Sequence, residues 1–272
     1  MKMLDRICVS NIAWPAEADR EAVRLAADIG YAGIELAPAK TFGGWQDLDL
    51  GAAASYRREL ASLGLVVPAL QGILFGRPDC TLFGSSDKRS NLRRHLDQVA
   101  RLAGVLGARA CVFGAPKQRD PGTLAAAEAE DIAVDLLRSV APMFEREGSA
   151  LAFEANAAIY GCRFVLHTVE AMALVQKVNH PCIRLQIDTG TFLIDGDDPA
   201  ILAAAVPVAA HFHASEPHMK PVGSMGSNHR ALGEELRKAD YGGWKSVEMA
   251  TVENWRGAIR EAACLMADAY GG

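Results

Sequence analysis

Residues 146–154 read REGSALAFE: the end of a helical pattern, one glycine, and then a short run that is apolar on both faces. The same order recurs at 28–36 (DIGYAGIEL), 62–70 (SLGLVVPAL) and 105–113 (VLGARACVF). A glycine in this place is typical of a helix end, because it adopts the left-handed backbone conformation at the least steric cost. The apolar run is typical of a strand buried in a parallel sheet. The four stretches therefore predict a repeated helix-to-strand unit.

Extension of this pattern along the chain predicts eight strands, near residues 7–11, 33–37, 65–70, 110–114, 150–155, 183–188, 208–213 and 244–249. Between them, apolar residues recur at helical spacing, as at Leu92, Leu96 and Val99. Alternating strands and helices predict a parallel sheet, and eight units favour a closed (β/α)8 barrel of the TIM type. An open doubly wound sheet is the alternative, but no Gly-x-Gly-x-x-Gly follows the first strand.

The length and composition agree with one soluble α/β domain spanning residues 1–272, since a TIM barrel needs about 250 residues. A net charge of −5 argues against dedicated binding to nucleic acid, which depends on clustered cations. The N-terminal residues do not resemble a signal peptide, and no run approaches a membrane span. Six cysteines without a Cys-x-x-Cys pair indicate free thiols in a reducing cytoplasm. We therefore expect a cytoplasmic protein without membrane or nucleic-acid partners.

Four consecutive predicted strands end in a charged or imidazole side chain: Glu154 in LAFEAN, Asp188 in RLQIDTG, His213 in AAHFHASE and Glu248 in SVEMA. Their separations of 34, 25 and 35 residues are each close to one βα unit. Reacting groups of TIM barrels gather at the carboxyl ends of the strands, so these four are expected at one rim. Any one of them alone could be a hydrogen-bonded strand end. Burying an ionised carboxylate without a partner costs several kcal/mol of stability, however, so the four strand ends together indicate a shared partner.

A divalent cation is the most economical partner, because it keeps three neighbouring carboxylates ionised despite their mutual repulsion. Oxygen-rich ligation with one histidine suits Mn²⁺ or Mg²⁺, with Co²⁺ and Zn²⁺ as alternatives. His211 lies on the same face of its strand as His213, one layer deeper in the barrel. We prefer His213 as the metal ligand and His211 as a supporting or substrate-binding residue. A register shift of two residues would exchange these roles.

The chain resembles the xylose isomerase-like barrels, the sugar isomerase and epimerase superfamily that includes D-tagatose 3-epimerase and related ketose epimerases. The resemblance covers nearly the whole chain and is most specific in FEAN, QIDTG, HFHASE and YGGWKSVEM. It implies that Glu154, Asp188, His213 and Glu248 bind the metal and that Glu154 and Glu248 also act as the acid/base pair. It further implies a small sugar or polyol substrate and a homodimer or homotetramer.

Two departures place the substrate in doubt. The related epimerases carry a histidine three residues after the strand-six aspartate, where this chain has Thr191. They also carry an arginine downstream of the strand-seven histidine, where this chain has Met219 and Lys220. The DNA-repair endonucleases of the superfamily need a larger ligand set, which includes that missing histidine. The resemblance therefore predicts the fold and the metal, but not the sugar.

The reaction expected from such a site is removal of a proton beside a metal-polarised carbonyl, which gives an enediolate. Reprotonation would complete an isomerisation or epimerisation of a ketose or related polyol. The same intermediate would let a dehydratase eliminate water from a cyclic polyol ketone or related acid. A barrel that binds sugar without turnover is the non-enzymatic alternative.

Several further side chains are candidates for substrate contacts. Trp14, after the first strand, could form an apolar wall against a sugar ring, or pack against a neighbouring loop. Asn156 follows Glu154 in its loop, and Lys220 lies in the long loop after strand seven. Glu35 and Gln71 close strands two and three, where they either bind substrate hydroxyls or satisfy strand ends.

Overall fold

The architecture is a closed barrel of eight parallel strands, seen in a computed structural model that describes residues 4–46 and 48–271. The strands follow the order β2-β1-β8-β7-β6-β5-β4-β3. Two isolated bridges, Gly33 with Val66 and Leu36 with Leu70, join the ends of this sheet. The predicted α/β TIM barrel is therefore confirmed.

The strands are β1 (Leu4–Ser10), β2 (Tyr31–Glu35), β3 (Ala69–Leu70), β4 (Ala110–Phe113), β5 (Ala150–Glu154), β6 (Ile183–Asp188), β7 (Ala209–Ala214) and β8 (Lys245–Val247). The α-helices are α1 (Asp19–Ile29), α2 (Pro38–Thr41), α3 (Leu50–Ser62), α4 (Ser86–Leu106), α5 (Ala126–Arg146), α6 (Thr168–Val178), α7 (Thr189–Asp195), α8 (Ile201–Ala205), α9 (His229–Lys238) and α10 (Trp255–Ala269).

The glycines that mark the repeated unit end helices, as the sequence predicts. Gly30 follows α1 with φ +104°, and Gly107 follows α4 with φ +79°, both in the left-handed region. Each donates its backbone N–H to carbonyls in the last turn of its helix. This geometry stops the helix and turns the chain into the next strand within a few residues. These turns connect α1 to β2 and α4 to β4, two strands that run parallel to their neighbours in the barrel.

The core lies between the barrel and the surrounding helices. Leu92, Leu96 and Val99 of α4 are fully buried, which confirms the helical pattern. On β7, Phe212 points away from the barrel axis and packs against Tyr241 and Tyr270. Its neighbours on the strand, one residue before and after, consequently face the interior.

β3 is the main departure from the predicted strand bounds. It pairs over Ala69–Leu70 only, rather than over 65–70. Pro68 has no backbone N–H to donate to a ladder, and Val66 before it makes a single bridge and is 49% exposed. β8 is also shorter than predicted, but the N–H of Glu248 continues its pairing by donating to the Ala214 carbonyl at 3.0 Å.

None of the helices in the described ranges combines the length and the apolar character needed to cross a bilayer. All eight strands belong to the one sheet. The division of the chain into a single domain over residues 1–272 stays a prediction.

Candidate active site

The four strand-end residues meet at the carboxyl end of the barrel. Glu154 ends β5, Asp188 ends β6, His213 lies next to the last residue of β7, and Glu248 follows β8. Glu154, Asp188 and Glu248 line a cleft of about 550 Å³. The carboxylate side chains are only 11–13% exposed, so they face the cleft from a largely buried position.

His213 is the centre of this cluster. Its Nδ1 lies 3.2 Å from Glu248 Oε2, 3.6 Å from Glu154 Oε1 and 4.0 Å from Asp188 Oδ2. This nitrogen is buried and has no hydrogen-bond partner among the described residues. A buried nitrogen without a hydrogen-bond partner lowers the stability of the fold, so a bound ligand is the expected reason for its place beside three carboxylates.

The other ring nitrogen of His213 is held by a buried carboxylate. Nε2 lies 3.0 Å from Glu35 Oε1, and His211 Nε2 lies 3.2 Å from the same oxygen. The second oxygen of Glu35 accepts hydrogen bonds from Ser246 Oγ at 2.6 Å and Gln71 Nε2 at 3.3 Å. A histidine that donates from Nε2 carries its lone pair on Nδ1, the tautomer that a metal ligand needs on the cleft side.

Asp188 is oriented by neighbours on both of its oxygens. Oδ1 accepts a hydrogen bond from the Thr191 backbone N–H at 2.7 Å, at the start of α7. Oδ2 accepts one from Ser215 Oγ at 2.6 Å. Ser215 Oγ in turn accepts a hydrogen bond from the Gly190 backbone N–H at 2.8 Å. The carboxylate is thus fixed by the turn after β6 and the loop after β7 before any ligand binds.

Glu154 is oriented by a buried polar chain. Asn156 Nδ2 donates to Glu154 Oε2 at 2.8 Å, and Asn156 Oδ1 accepts from Arg119 Nη2 at 2.9 Å. Arg119 is fully buried, donates to the Glu154 carbonyl and to Cys162 Sγ, and stacks on the ring of Phe153 at 5.0 Å. Because Arg119 only donates, it fixes which end of the Asn156 amide faces Glu154. Oε1 of Glu154 remains directed toward His213.

The electrostatics of the cluster follow from burial and repulsion. Burial, followed by the charges of Asp188 and Glu248, raises the pKa of Glu154 to about 8. Burial, followed by Glu248, also raises the pKa of Asp188. For Glu35, burial acts in the same direction, but the imidazoles of His213 and His211 outweigh it and lower its pKa well below the usual range. Glu154 and Asp188 thus resist ionisation, whereas Glu35 behind them stays charged.

A divalent cation fits this set of donors. Single ligand atoms of Glu154, Asp188 and His213 all lie within 4.8 Å of one another, and Glu248 adds a fourth beside His213. A cation between them would occupy the unpaired Nδ1 and offset the repulsion that raises the carboxyl pKa values. Three carboxylates and one imidazole are ligands that hard or borderline metals accept.

The structure brings only one of the four predicted substrate residues to the cleft. Asn156 lines it, although its amide is engaged with Glu154 and Arg119. Trp14 is fully buried, donates to Asp19 Oδ1 at 3.0 Å, and so presents no surface to the cleft. His211 lies beneath the four strand-end residues, beside Glu35. Lys220 is exposed in the loop after β7, outside the cleft lining.

Other side chains also line the cleft. Tyr160, which follows Glu154 in its loop, is a weaker sequence-based candidate for a substrate contact, whereas the sequence gives no such signal for Ile73, Leu74, Phe75, Pro116 and Met219. Arg119 gave no sequence signal, because a lone arginine in a loop is usually solvated. Glu35 did give one: it closes an apolar strand with a carboxylate, as the four metal-binding candidates do. Sequence alone could not show that Glu35 faces His213 rather than the substrate.

Comparison with known proteins places this site in a family. A family model described as the xylose isomerase-like TIM barrel matches residues 23–269, which is most of the chain. The chain belongs to the xylose isomerase-like TIM barrel family. The resemblance seen in the sequence motifs is thereby confirmed. A search of curated proteins finds no match to the sequence.

Solved structures share the fold at low sequence identity. D-psicose 3-epimerase from Clostridium cellulolyticum H10, with D-tagatose, superposes with a TM-score of 0.82 at 14% identity, over 98% of this chain and 99% of that one. For the 3-keto-D-glucoside 4-epimerase YcjR from E. coli, the TM-score is 0.78 at 18% identity, over 98% and 100%. The IOLI protein with a bound zinc atom gives 0.73 at 18% identity, over 97% of each chain. At identities this low, these three structures show that the chain shares their barrel architecture.

Proposed function

We propose that this chain is a divalent-metal-dependent isomerase or epimerase acting on a ketose or related polyol. The observation that carries the proposal is the unpaired Nδ1 of His213, buried beside three carboxylates that open onto one cleft. Two named neighbours, a ketose epimerase and a ketoglucoside epimerase, support the choice of a sugar substrate.

Glu154, Asp188, His213 and Glu248 would hold the metal, and Mn²⁺ or Mg²⁺ suits their oxygen-rich set best. A bound divalent cation would supply polarisation of the substrate carbonyl, which acidifies the neighbouring C–H bond. Co²⁺ and Zn²⁺ remain the alternatives, and the bound zinc of a neighbouring structure supports including them. Metal analysis of the purified protein decides among the four.

Glu154 and Glu248 would move the proton. One carboxylate removes the proton beside the carbonyl, and the other returns a proton to the enediolate; the carbon that receives it decides between isomer and epimer. Asn156 holds Oε2 of Glu154 and Arg119 holds Asn156, so this base is fixed in orientation before substrate binds. Asp188, with both oxygens hydrogen-bonded, would act as a ligand only.

The test is exchange of solvent deuterium into a panel of ketoses, followed by NMR. Glu248→Gln should lower the exchange rate by about 10²- to 10⁴-fold, because a general acid or base contributes this much. Glu253→Gln is the matched control, since Glu253 is exposed and lies five residues further on. Wild-type exchange in Glu248→Gln would exclude this residue from proton transfer. Asp188→Ala should chiefly lower the metal content.

Two other results would redirect the proposal. Release of water to an unsaturated ketone, seen as new ultraviolet absorbance, would indicate the dehydratase. Stoichiometric metal without exchange or dehydration in any substrate would indicate a sugar-binding barrel without turnover. A cytoplasmic location is supported by the six free cysteines. The homodimer or homotetramer stays a prediction.

A further inference from the structure

A second groove of about 860 Å³ opens beside the catalytic cleft. The two cavities share Phe75 and Gly76, in the loop between β3 and α4. Away from the cleft, the second groove is bordered by Phe42, Trp45, Gln46, Arg77, Asp79 and Gln98. A ligand seated at the acidic cluster can therefore continue past Phe75 without leaving the surface.

Phe75, at the junction of the two cavities, is a large hydrophobic residue that is 76% exposed to solvent. Leaving a phenylalanine in water forgoes about 1.5–3 kcal/mol of burial energy. The backbone beneath the ring is nevertheless tied down: Trp45 Nε1 donates to the Phe75 carbonyl at 3.1 Å, and His95 Nε2 lies 2.6 Å from the Ile73 carbonyl. Trp45 and His95 in turn pack edge to face, with ring centroids 4.5 Å apart. The exposed ring is thus presented by an ordered loop.

The floor of the second groove is polar but carries paired charges. Arg77 Nε and Nη2 bind Asp79 Oδ1 and Oδ2 at 2.9 and 2.8 Å, a two-pronged ion pair. The third guanidinium nitrogen, Nη1, lies 2.7 Å from His95 Nδ1. Because the guanidinium is already matched to a carboxylate, the described residues that line this groove offer no free cation for a phosphate. Paired planar groups and amides instead suit a neutral ligand rich in hydroxyls.

We propose that this groove, from Phe75 to Trp45 and Arg77, is a second sugar-binding subsite, and that the substrate is a ketose extended by a further sugar ring. The reacting ketose occupies the acidic cleft. The second ring lies against Phe75, whose face accepts the C–H surface of a pyranose, and its hydroxyls reach the polar floor. This inference rests on the proposed function, since it names the substrate class of that site.

The experiment compares D-fructose with four glucosyl-fructoses: turanose, leucrose, isomaltulose and trehalulose. Binding is measured by calorimetry on the metal-loaded protein, and turnover by solvent-deuterium exchange. At least one disaccharide should bind about tenfold more tightly than fructose. Phe75→Ala should bring the ratio of the two affinities close to one. Ile159→Ala is the matched control, because Ile159 is exposed (54%) but lies outside the lining of both cavities.

The outcomes separate the two proposals. Deuterium exchange into fructose, with no disaccharide bound more tightly, would overturn the subsite and leave the epimerase or isomerase standing. Binding of a disaccharide that depends on Phe75, without exchange into any sugar, would support the subsite and overturn the reaction. A Phe75→Ala variant that keeps the wild-type affinity ratio, but changes from dimer to monomer in ultracentrifugation, would show that Phe75 contacts a second copy and would overturn the subsite.

Discussion

At the scale of single residues, Glu35 should control how tightly His213 binds metal. It is fully buried and holds Nε2 of His213 at 3.0 Å, which leaves Nδ1 free for a ligand. Glu35→Gln should lower the Mn²⁺ affinity about 10- to 100-fold, the usual effect of losing a partner of a metal-binding histidine. The measurement is competition against a chromophoric chelator, with circular dichroism to verify folding.

A second buried glutamate supplies the control for this prediction. Glu216 is also buried, and its Oε1 lies 3.1 Å from His229 Nε2, a histidine outside the cluster of Glu154, Asp188, His213 and Glu248. Glu216→Gln therefore removes the same charge from the same kind of pair, but should leave Mn²⁺ affinity within about threefold of wild type. Equal metal affinity in Glu35→Gln and Glu216→Gln would mean that Glu35 only stabilises the barrel.

Individual residues differ in how far their sequence predicts their place. Glu154, Asp188, His213 and Glu248 each end an apolar strand, and strand alternation alone predicts that they share a rim. The place of Trp14 after β1 left open whether it forms a wall of the cleft or packs against a neighbour. Its indole packs beside Trp255 of α10 and donates to Asp19 of α1, and the first of these contacts depends on a helix far away in sequence. Sequence patterns report which face of an element is buried, not which neighbour lies against it.

At the scale of elements, α4 fixes the loop that carries Phe75 through a neutral histidine. Burial lowers the pKa of His95 to about 4, with only partial compensation from its hydrogen bond to Ile73. The stability due to a neutral His95 is fully present above pH 6.5, its unfolded pKa, and is lost as the pH falls toward 4. The reason is that the unfolded chain takes up the proton first.

This linkage predicts a difference between wild type and His95→Gln that depends on pH. Between pH 6.5 and 4.5 the wild type should lose about 2 kcal/mol of unfolding free energy that the variant does not lose. Urea unfolding at each pH measures the unfolding free energy of both proteins. Subtracting one value from the other removes the contributions of all titratable groups that the two proteins share. A constant difference across this range would show that His95 is protonated equally in both states.

Strand β3 shows where prediction of the elements stops. For strands two to five, a glycine after the helix and a following run that is apolar on both faces were enough to place the strand, because both are local requirements of the βα unit. The other four strands were placed by extending this pattern along the chain. The bounds of β3 were too wide, since Pro68 removes a donor and leaves only Ala69–Leu70 in the ladder with β4. The loop after it, which carries Phe75, is fixed by side chains from other elements and has no local pattern.

At the scale of the whole molecule, metal and protons should compete for the same site and so set its stability. Without metal, the pKa of Glu154 is raised to about 8 by burial, Asp188 and Glu248. A raised carboxyl pKa stabilises the fold fully below about pH 4.5, and this contribution is lost as the pH rises through 8. In EDTA the protein should therefore become less stable from pH 6.5 to 8.5, as Glu154 ionises beside the other carboxylates of the cleft.

Bound metal should reverse this trend, because the ionised carboxylates become its ligands. At a free concentration 100 times its dissociation constant, Mn²⁺ should add about 2.7 kcal/mol, and more apparent stabilisation at pH 8.5 than at 6.5 because fewer protons are displaced. For a chain of this size that corresponds to a rise in Tm of about 5 °C. Thermal unfolding in EDTA and in Mn²⁺, at both pH values, measures the effect. The Asp188→Ala variant should lose most of the rise in Tm that Mn²⁺ causes. In EDTA, the Glu154→Gln variant should lose less stability than wild type between pH 6.5 and 8.5. Parallel pH profiles with and without Mn²⁺ would mean that the carboxylates are not where the metal binds.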